Sequence, residues 1–470
     1  MAPAAPELDA PDLLPGATHD LAAFASSLTF DKIPPDVVAY VKELILDNLG
    51  VVLFGVQTAW TQKVVQMAVA EDAKPRSTIF GTGIRTSPAL AALANATGGH
   101  AFEFDEIHRD SIVHPGSMIV PVILALVEAE GKGNGRDFIT AAVAAYEVCG
   151  RVGMSATSAL FFRGFHPQGT TGVFAAGTAA ARILGLDTEA TQNALGIAGS
   201  QGAGLMAAQE GAMVKRFHAG RAAQSGIYAA LLARQGFTGI HNVLEASFGG
   251  FLSSHSGQLN ISALTADLGH QWETLNVAYK PYAMAASIHT SLDGLKAIMV
   301  DNKLTADDLE SVDVGMGPMT YQHCAWEYQP KGVTAAQMNM FYGLAVIAAD
   351  GDAGAGQFSE DRLTEPRLME LIKRMHAHVS PELQAMGPKF RHAAIVTVKT
   401  KAGQTYESRQ LYYRGTKENP PKPGQVEDKF RALAGRVLSS QQLDRIVELV
   451  RDLENQPSLD ELSGLLLERS

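Results

Sequence analysis

Cysteine is nearly absent from the chain: there are two in 470 residues, Cys149 and Cys324, far apart and outside any C-x-x-C spacing. That excludes a disulfide framework and a zinc knuckle, and it fits a protein of the reducing cytoplasm. A basic excess is missing too. The formal charge is -11 and no Lys/Arg run is interleaved with aromatics, so nucleic acid is excluded as a partner. No apolar run reaches the roughly 18 residues that cross a bilayer, which argues against membrane insertion. "VPVILALVEAE" and "IYAALLARQG" are short and carry charge. The opening "MAPAAPELDAPDLLPGATHD" has Pro and Asp where a secretory signal needs a basic start and an apolar stretch. It reads as a disordered leader, residues 1–20. There is no G-x-S-x-G elbow and no Walker sequence, and "GIAGSQGAG" follows no strand and lacks dinucleotide spacing.

What is present is enough hydrophobic content, 46%, to bury a large core. From about Leu21 to Gly250 apolar residues recur at helical spacing, as in "PDVVAYVKELILDNLGVVLFG". "GTTGVFAAGTAAARILG" and "ALGIAGSQGAGLMAAQEGA" are rich in Gly and Ala and apolar nearly all round, so these helices pack closely inside. The texture then changes. "LNVAYKPYAM", "LESVDVGMGP", "HAAIVTVKTK" and "TYESRQLYY" alternate and favour β-branched residues, with a turn at "KAGQ". After "KENPPKPGQ" the amphipathic helical spacing returns. The expected architecture is mainly α: a large helical domain formed by residues 21–274 and 419–470, interrupted by an inserted α+β unit at 275–418.

The stretch "GHAFEFDEIHRDSIVHPGS" crowds Glu103, Asp105, Glu106 and Asp110 among His100, His108 and His114. His100 and Glu103 share a helical spacing, but no H-E-x-x-H pattern supports a metal, and none is expected. His100, Glu106, His108 and Asp110 read as a helix end facing water. Asp105 and His114, with apolar neighbours, read as carried inward. His166 opens the buried segment "HPQGTTGVFAAG", a loop-to-helix junction suited to an anion. In "MVKRFHAGR", Arg216 and Arg221 read as surface charge, whereas Lys215 follows apolar chain and gains from an anionic partner if buried. Lys280 precedes Pro281 at the edge of the α+β unit, and Tyr342 lies on an apolar helix.

The order of "FEFDEIHRDSIVHPGS", "GFHPQGTTGVFAAG", "GLMAAQEGAMVKRFHAGRAAQSG" and "KPYAMAASIH" resembles the MmgE/PrpD family, which includes 2-methylcitrate dehydratases, cis-aconitate decarboxylases and iminodisuccinate epimerases. The loop spacing is most similar to the fungal decarboxylase type. The resemblance implies a helical domain with a smaller α+β lid, a homodimer, no cofactor, and a small polycarboxylate substrate. It also implies catalytic roles for Asp105, His114, His166, Lys215 and Tyr342, with Lys280, Lys215, Glu103 and Ile107 at the substrate. Ile107 departs from the mammalian pattern, which has Thr there. The expected activity is a lyase reaction, decarboxylation or dehydration. Epimerisation of a dicarboxylate and non-catalytic carboxylate binding are the alternatives.

Overall fold

Burial of small side chains sets the helical framework. On the helix Val214–Arg234, a Cβ at Gly220 would lie 2.1 Å from the Thr97 hydroxyl oxygen, and one at Gly226 would lie 2.4 Å from the Ala176 Cβ. Glycine there lets this helix press against Pro88–Gly99 and Gly172–Leu184 at once. Pro35–Val56, Gly116–Glu130 and Gly135–Phe162 complete the same core, which holds Leu49, Val52, Ile123, Val143 and Phe174. The computed structural model describes residues 11–467. Its secondary structure is mainly helical. Among the described residues, no helix is long and apolar enough to cross a membrane.

The first ten positions of the expected leader lie outside the described residues. Its last part is ordered: the helix Ala17–Ser27 buries Ala17, Leu21, Ala22 and Ala25, and the Leu13 N–H donates to the Glu245 carbonyl (2.8 Å). The apolar spacing of this segment already supplies a helical face, so the helix starts four residues earlier than expected.

A second core surrounds a four-stranded sheet. Leu309–Met316 pairs in parallel with Met375–Val379 and antiparallel with Ala394–Thr400, which pairs with Thr405–Gln410 through the turn at Gly403. Val312, Val314, Val396 and Val398 alternate inward, against the helices His289–Asp301 and Met340–Asp350. "LNVAYKPYAM" does not join this sheet. Only Val277–Ala278 is extended, paired antiparallel with Ile107–His108, because Lys280-Pro281 ends the strand. The chain then returns: Val426, Phe430, Ile446 and Val447 of helices Gln425–Ala434 and Ser440–Arg451 are buried, and both helices pack on Pro35–Val56.

Candidate active site

The helix Pro88–Gly99 stops at a Gly pair, and the next sixteen residues run irregularly to the helix Gly116–Glu130. The two-residue ladder from Ile107–His108 to Val277–Ala278 pins this loop. His100, Glu106 and His108 are buried, contrary to the sequence reading, together with Glu103 and Asp105, whereas Asp110 is exposed at its side chain. Glu103, Glu106 and His108 have partners distant in sequence, while Asp105 pairs with His100 and His114 inside the loop. Glu106 accepts from the Gly116 N–H (2.6 Å), the Asn48 amide (2.9 Å) and the Tyr146 hydroxyl (3.2 Å). Burial, with Asp105 and Asp47 nearby, pushes the Glu106 carboxyl up to about 8, so it is protonated at neutral pH. His108 lies between Glu273 (3.1 Å) and Ser111 (2.9 Å), a structural setting.

Glu103 is the hub of a cation cluster. Its backbone has a φ of 54°, and its carboxylate accepts from Lys215, Arg216 and Lys280, the last at 3.3 Å. Lys280 also donates to the Glu103 carbonyl (3.2 Å). Burial opposes ionisation of Glu103, but the three cations outweigh it and hold the carboxyl well below its usual range. Arg216, which reads from sequence as surface charge, is buried. It spans from Glu103 and the His100 carbonyl (3.3 Å) to Gln337 (3.2 Å), whose amide donates to the Phe102 carbonyl (2.7 Å). Arg221 is exposed, as expected.

Asp105 organises the histidines. Its Oδ2 lies 2.8 Å from His100 Nδ1 and its Oδ1 lies 3.5 Å from His114 Nδ1. Burial pulls the His114 ring down to about 3 against the pull of Asp105, so it is a neutral imidazole. Gln168 fixes His114 from the segment that carries His166, accepting from the His114 N–H (2.9 Å) and donating to its carbonyl (3.0 Å). His166 Nδ1 lies 2.8 Å from His218 Nδ1, and burial lowers both rings.

These groups meet at one cavity. Glu103, Ile107, His114, His166, Lys215 and Lys280 line it, as do Arg109, Phe161, His323 and His392. Asp105 is not in the wall; it stands behind His114. Tyr342 is not brought there. Its hydroxyl donates to the Gln357 carbonyl (2.8 Å), and its ring packs with Tyr328 and Phe358 in the second core. The resemblance implies a catalytic tyrosine here, but the apolar helix holds Tyr342 in the core with its hydroxyl satisfied. The sequence reading missed Arg216, Gln168, His218, His323 and His392. Gln168 and His218 sat inside quoted motifs, so adjacency to His166 and Lys215 was the available signal.

Among the described residues, His100, Asp105 and His114 are the one group whose donor atoms could hold a metal, all within 4.8 Å of one another. Those atoms already face each other across the Asp105 carboxylate. Burial disfavours positive charge on His100 and His114, and Lys215 and Lys280 add to it, while Asp105 pulls the other way.

The chain matches the models of the MmgE/PrpD N-terminal domain over residues 19–263 and of the MmgE/PrpD C-terminal domain over 282–455. It is 30% identical over 471 residues to the cis-aconitate decarboxylase of Aspergillus terreus, covering 96% of each chain. It is 30% identical over 469 residues to a cis-aconitate decarboxylase-like protein of Aspergillus oryzae, covering 96% of this chain and 97% of the relative. The cis-aconitate decarboxylase of Homo sapiens is 27% identical over 469 residues, with 97% and 95% covered.

Proposed function

Because the chain belongs to the MmgE/PrpD family and is an enzyme of the lyase class, we propose that it decarboxylates cis-aconitate or a closely similar polycarboxylate without a cofactor. The observation that carries this reading is the convergence of Lys215 and Lys280 with the neutral rings of His114 and His166 on one buried cavity. Such a site binds carboxylates and moves one proton.

In the proposed reaction the bond from carbon to one substrate carboxylate breaks and CO2 leaves. The bonding pair spreads through the adjacent double bond toward a remaining carboxylate. Lys215 and Lys280 hold that carboxylate and the charge that develops on it, a preorganised term that costs no reorganisation during the reaction. His166, whose Nδ1 accepts from His218, carries its proton on Nε2 and delivers it to carbon, and solvent returns a proton to the ring, a contribution worth roughly 10²- to 10⁴-fold. His114, whose Nδ1–H faces the ionised Asp105, presents a bare Nε2 that accepts a hydrogen bond in the site. Their Nδ1 atoms are engaged by Asp105 and His218, which leaves the Nε2 atoms for the cavity. Asp105 holds the His114 ring and stays ionised, and Ile107 shapes the wall beside the substrate.

In this reading residues 275–418 form a lid inserted into the helical domain. Its closure excludes water from the cavity, with the Arg216–Gln337 bond as a latch. The working unit is a homodimer. Incubation of the purified protein with cis-aconitate, 2-methylcitrate or iminodisuccinate tests the reading. Release of CO2 from cis-aconitate supports it, and turnover confined to water loss from 2-methylcitrate or racemisation of iminodisuccinate overturns it.

A further inference from the structure

A second cavity lies behind the 103–106 loop, between the helix Gln425–Ala434, the turn at 354–357 and the chain around Lys280. Lys280, Lys296, Arg414, Lys429 and Arg436 all line it. The acids there are Asp47, Asp352 and Asp428, so the wall carries an excess of two positive charges in a chain whose net charge is -11. The buried Asp47 is already engaged, with Lys429 at 2.8 Å, while Asp352 and Asp428 are exposed. Arg414 stands 4.0 Å from Asp293 and 5.5 Å from the centre of the Tyr282 ring. Among the described residues, Lys296 and Arg436 make no ion pair; Arg436 lies 5.0 Å from the Phe54 ring centre.

The turn Gly354-Ala355-Gly356-Gln357 faces these cations. Among the described residues, the N–H groups of Ala355 and Gly356 donate to no acceptor, and a Cβ at Gly356 would meet nothing within 4 Å. The open turn leaves room beside these cations, and lysine and arginine gathered on one cavity suit an anion. Arginine supplies a planar fork and lysine a point charge, and both suit carboxylate or phosphate oxygens.

We propose that this cavity is a second binding site, for a small anion that carries two or more negative charges on phosphate or carboxylate groups. Lys296 and Arg436, the two cations of its wall that make no ion pair among the described residues, set the valence. The site lies directly behind the candidate active site. Lys280 lines both cavities, and Lys429 donates to the carbonyl of Phe104 (2.7 Å), the residue between Glu103 and Asp105.

The test is calorimetric titration of the full chain with pyrophosphate and, separately, with tricarballylate, before and after the double substitution Lys296→Glu and Arg436→Glu. Both positions lie outside the candidate active site and both side chains reach solvent, so the variant should keep the wild-type thermal midpoint. Saturable binding that weakens by about tenfold or more in the double variant supports the site. A response to pyrophosphate alone assigns it to phosphate-bearing ligands, and a response to tricarballylate alone assigns it to polycarboxylates. Absence of saturable binding by either anion overturns the proposal, as does unchanged affinity in the double variant, which would place the anion in the first cavity. Should the double variant unfold, Lys296→Ala alone gives the same comparison.

Discussion

The Nδ1 atoms of His166 and His218 lie 2.8 Å apart, in rings that burial keeps neutral. Two bare nitrogens do not approach so closely, so one ring donates and the other accepts, which fixes both tautomers. His166 lines the cavity and His218 does not, so His218 is a positioning residue for the reacting ring.

Replacing His218 with Ala frees the His166 tautomer. The expected result is a fall in kcat of about tenfold or more with little change in KM, and a displaced pH profile of kcat. His218→Asn, whose amide donates as an N–H does, should restore much of the rate. A role in packing alone would leave the pH profile in place.

His114→Ala and His166→Ala should each lower kcat by about 10²-fold or more while the fold is kept. His108→Gln is the contrasting variant. Its ring bridges Glu273 and Ser111 away from the cavity, so it should lower the thermal midpoint and leave kcat within about tenfold. Steady-state kinetics beside thermal melts separate the two effects, and the reverse pattern would overturn the assignment of which histidine reacts.

Glu106 makes a signature in stability. Its carboxyl sits at about 8 against an ordinary value of 4.5, so the folded state holds a proton that the unfolded chain releases. The sign follows from linkage: this contribution is full below pH 4.5 and is lost as pH rises through about 8. Glu106→Gln cannot lose that proton. The difference in thermal midpoint, variant minus wild type, should therefore grow in the variant's favour between these pH values and then level. A difference independent of pH would show an ionised Glu106.

The framework was legible because it is written locally. The spacing of Leu21, Ala22 and Ala25, the alternation of Val312 and Val314, and the return to helix after "KENPPKPGQ" each need only a short window. The site was legible in part. His114, His166, Lys215, Lys280, Glu103 and Ile107 do meet at one cavity, and apolar neighbours marked Asp105 and His114 as inward, but the burial of His100, Glu103, Glu106 and His108 was not visible. It depends on Lys215, Lys280, Asn48 and Tyr146, partners 40 to 177 positions away, and no window of sequence contains both sides. Arg216 shows the same limit. Read alone it is a surface charge beside Arg221, and only the Glu103 carboxylate and Gln337 make it internal. Tyr342 entered the site only through the family resemblance; its apolar helix reads as core, and its hydroxyl is satisfied there by the Gln357 carbonyl.

Dialysis against EDTA should leave turnover unchanged. Of the atoms that could hold an ion, His100 Nδ1 is already bonded to Asp105 Oδ2 (2.8 Å), and Asp105 Oδ1 lies 3.5 Å from His114 Nδ1. Loss of activity restored by zinc or manganese would assign that cluster to a metal.

The last prediction concerns Lys215, which burial pulls down to about 8 although Glu103 pulls it upward. A carboxylate substrate binds the ammonium form, so affinity should be constant below that pH and fall above it as the proton is lost. One ionisation gives about a tenfold loss in kcat/KM for each pH unit beyond the midpoint. Glu103→Gln removes the charge that holds the proton, so the alkaline limb should move to lower pH. Lys215→Arg cannot deprotonate in this range and should flatten the limb, at a lower plateau because its planar fork replaces a point charge. Lys215→Met should lower binding and turnover together. An alkaline limb that persists unchanged in Lys215→Arg would belong to another group, and near-normal kcat/KM in Lys215→Met would remove the anion clamp from the mechanism.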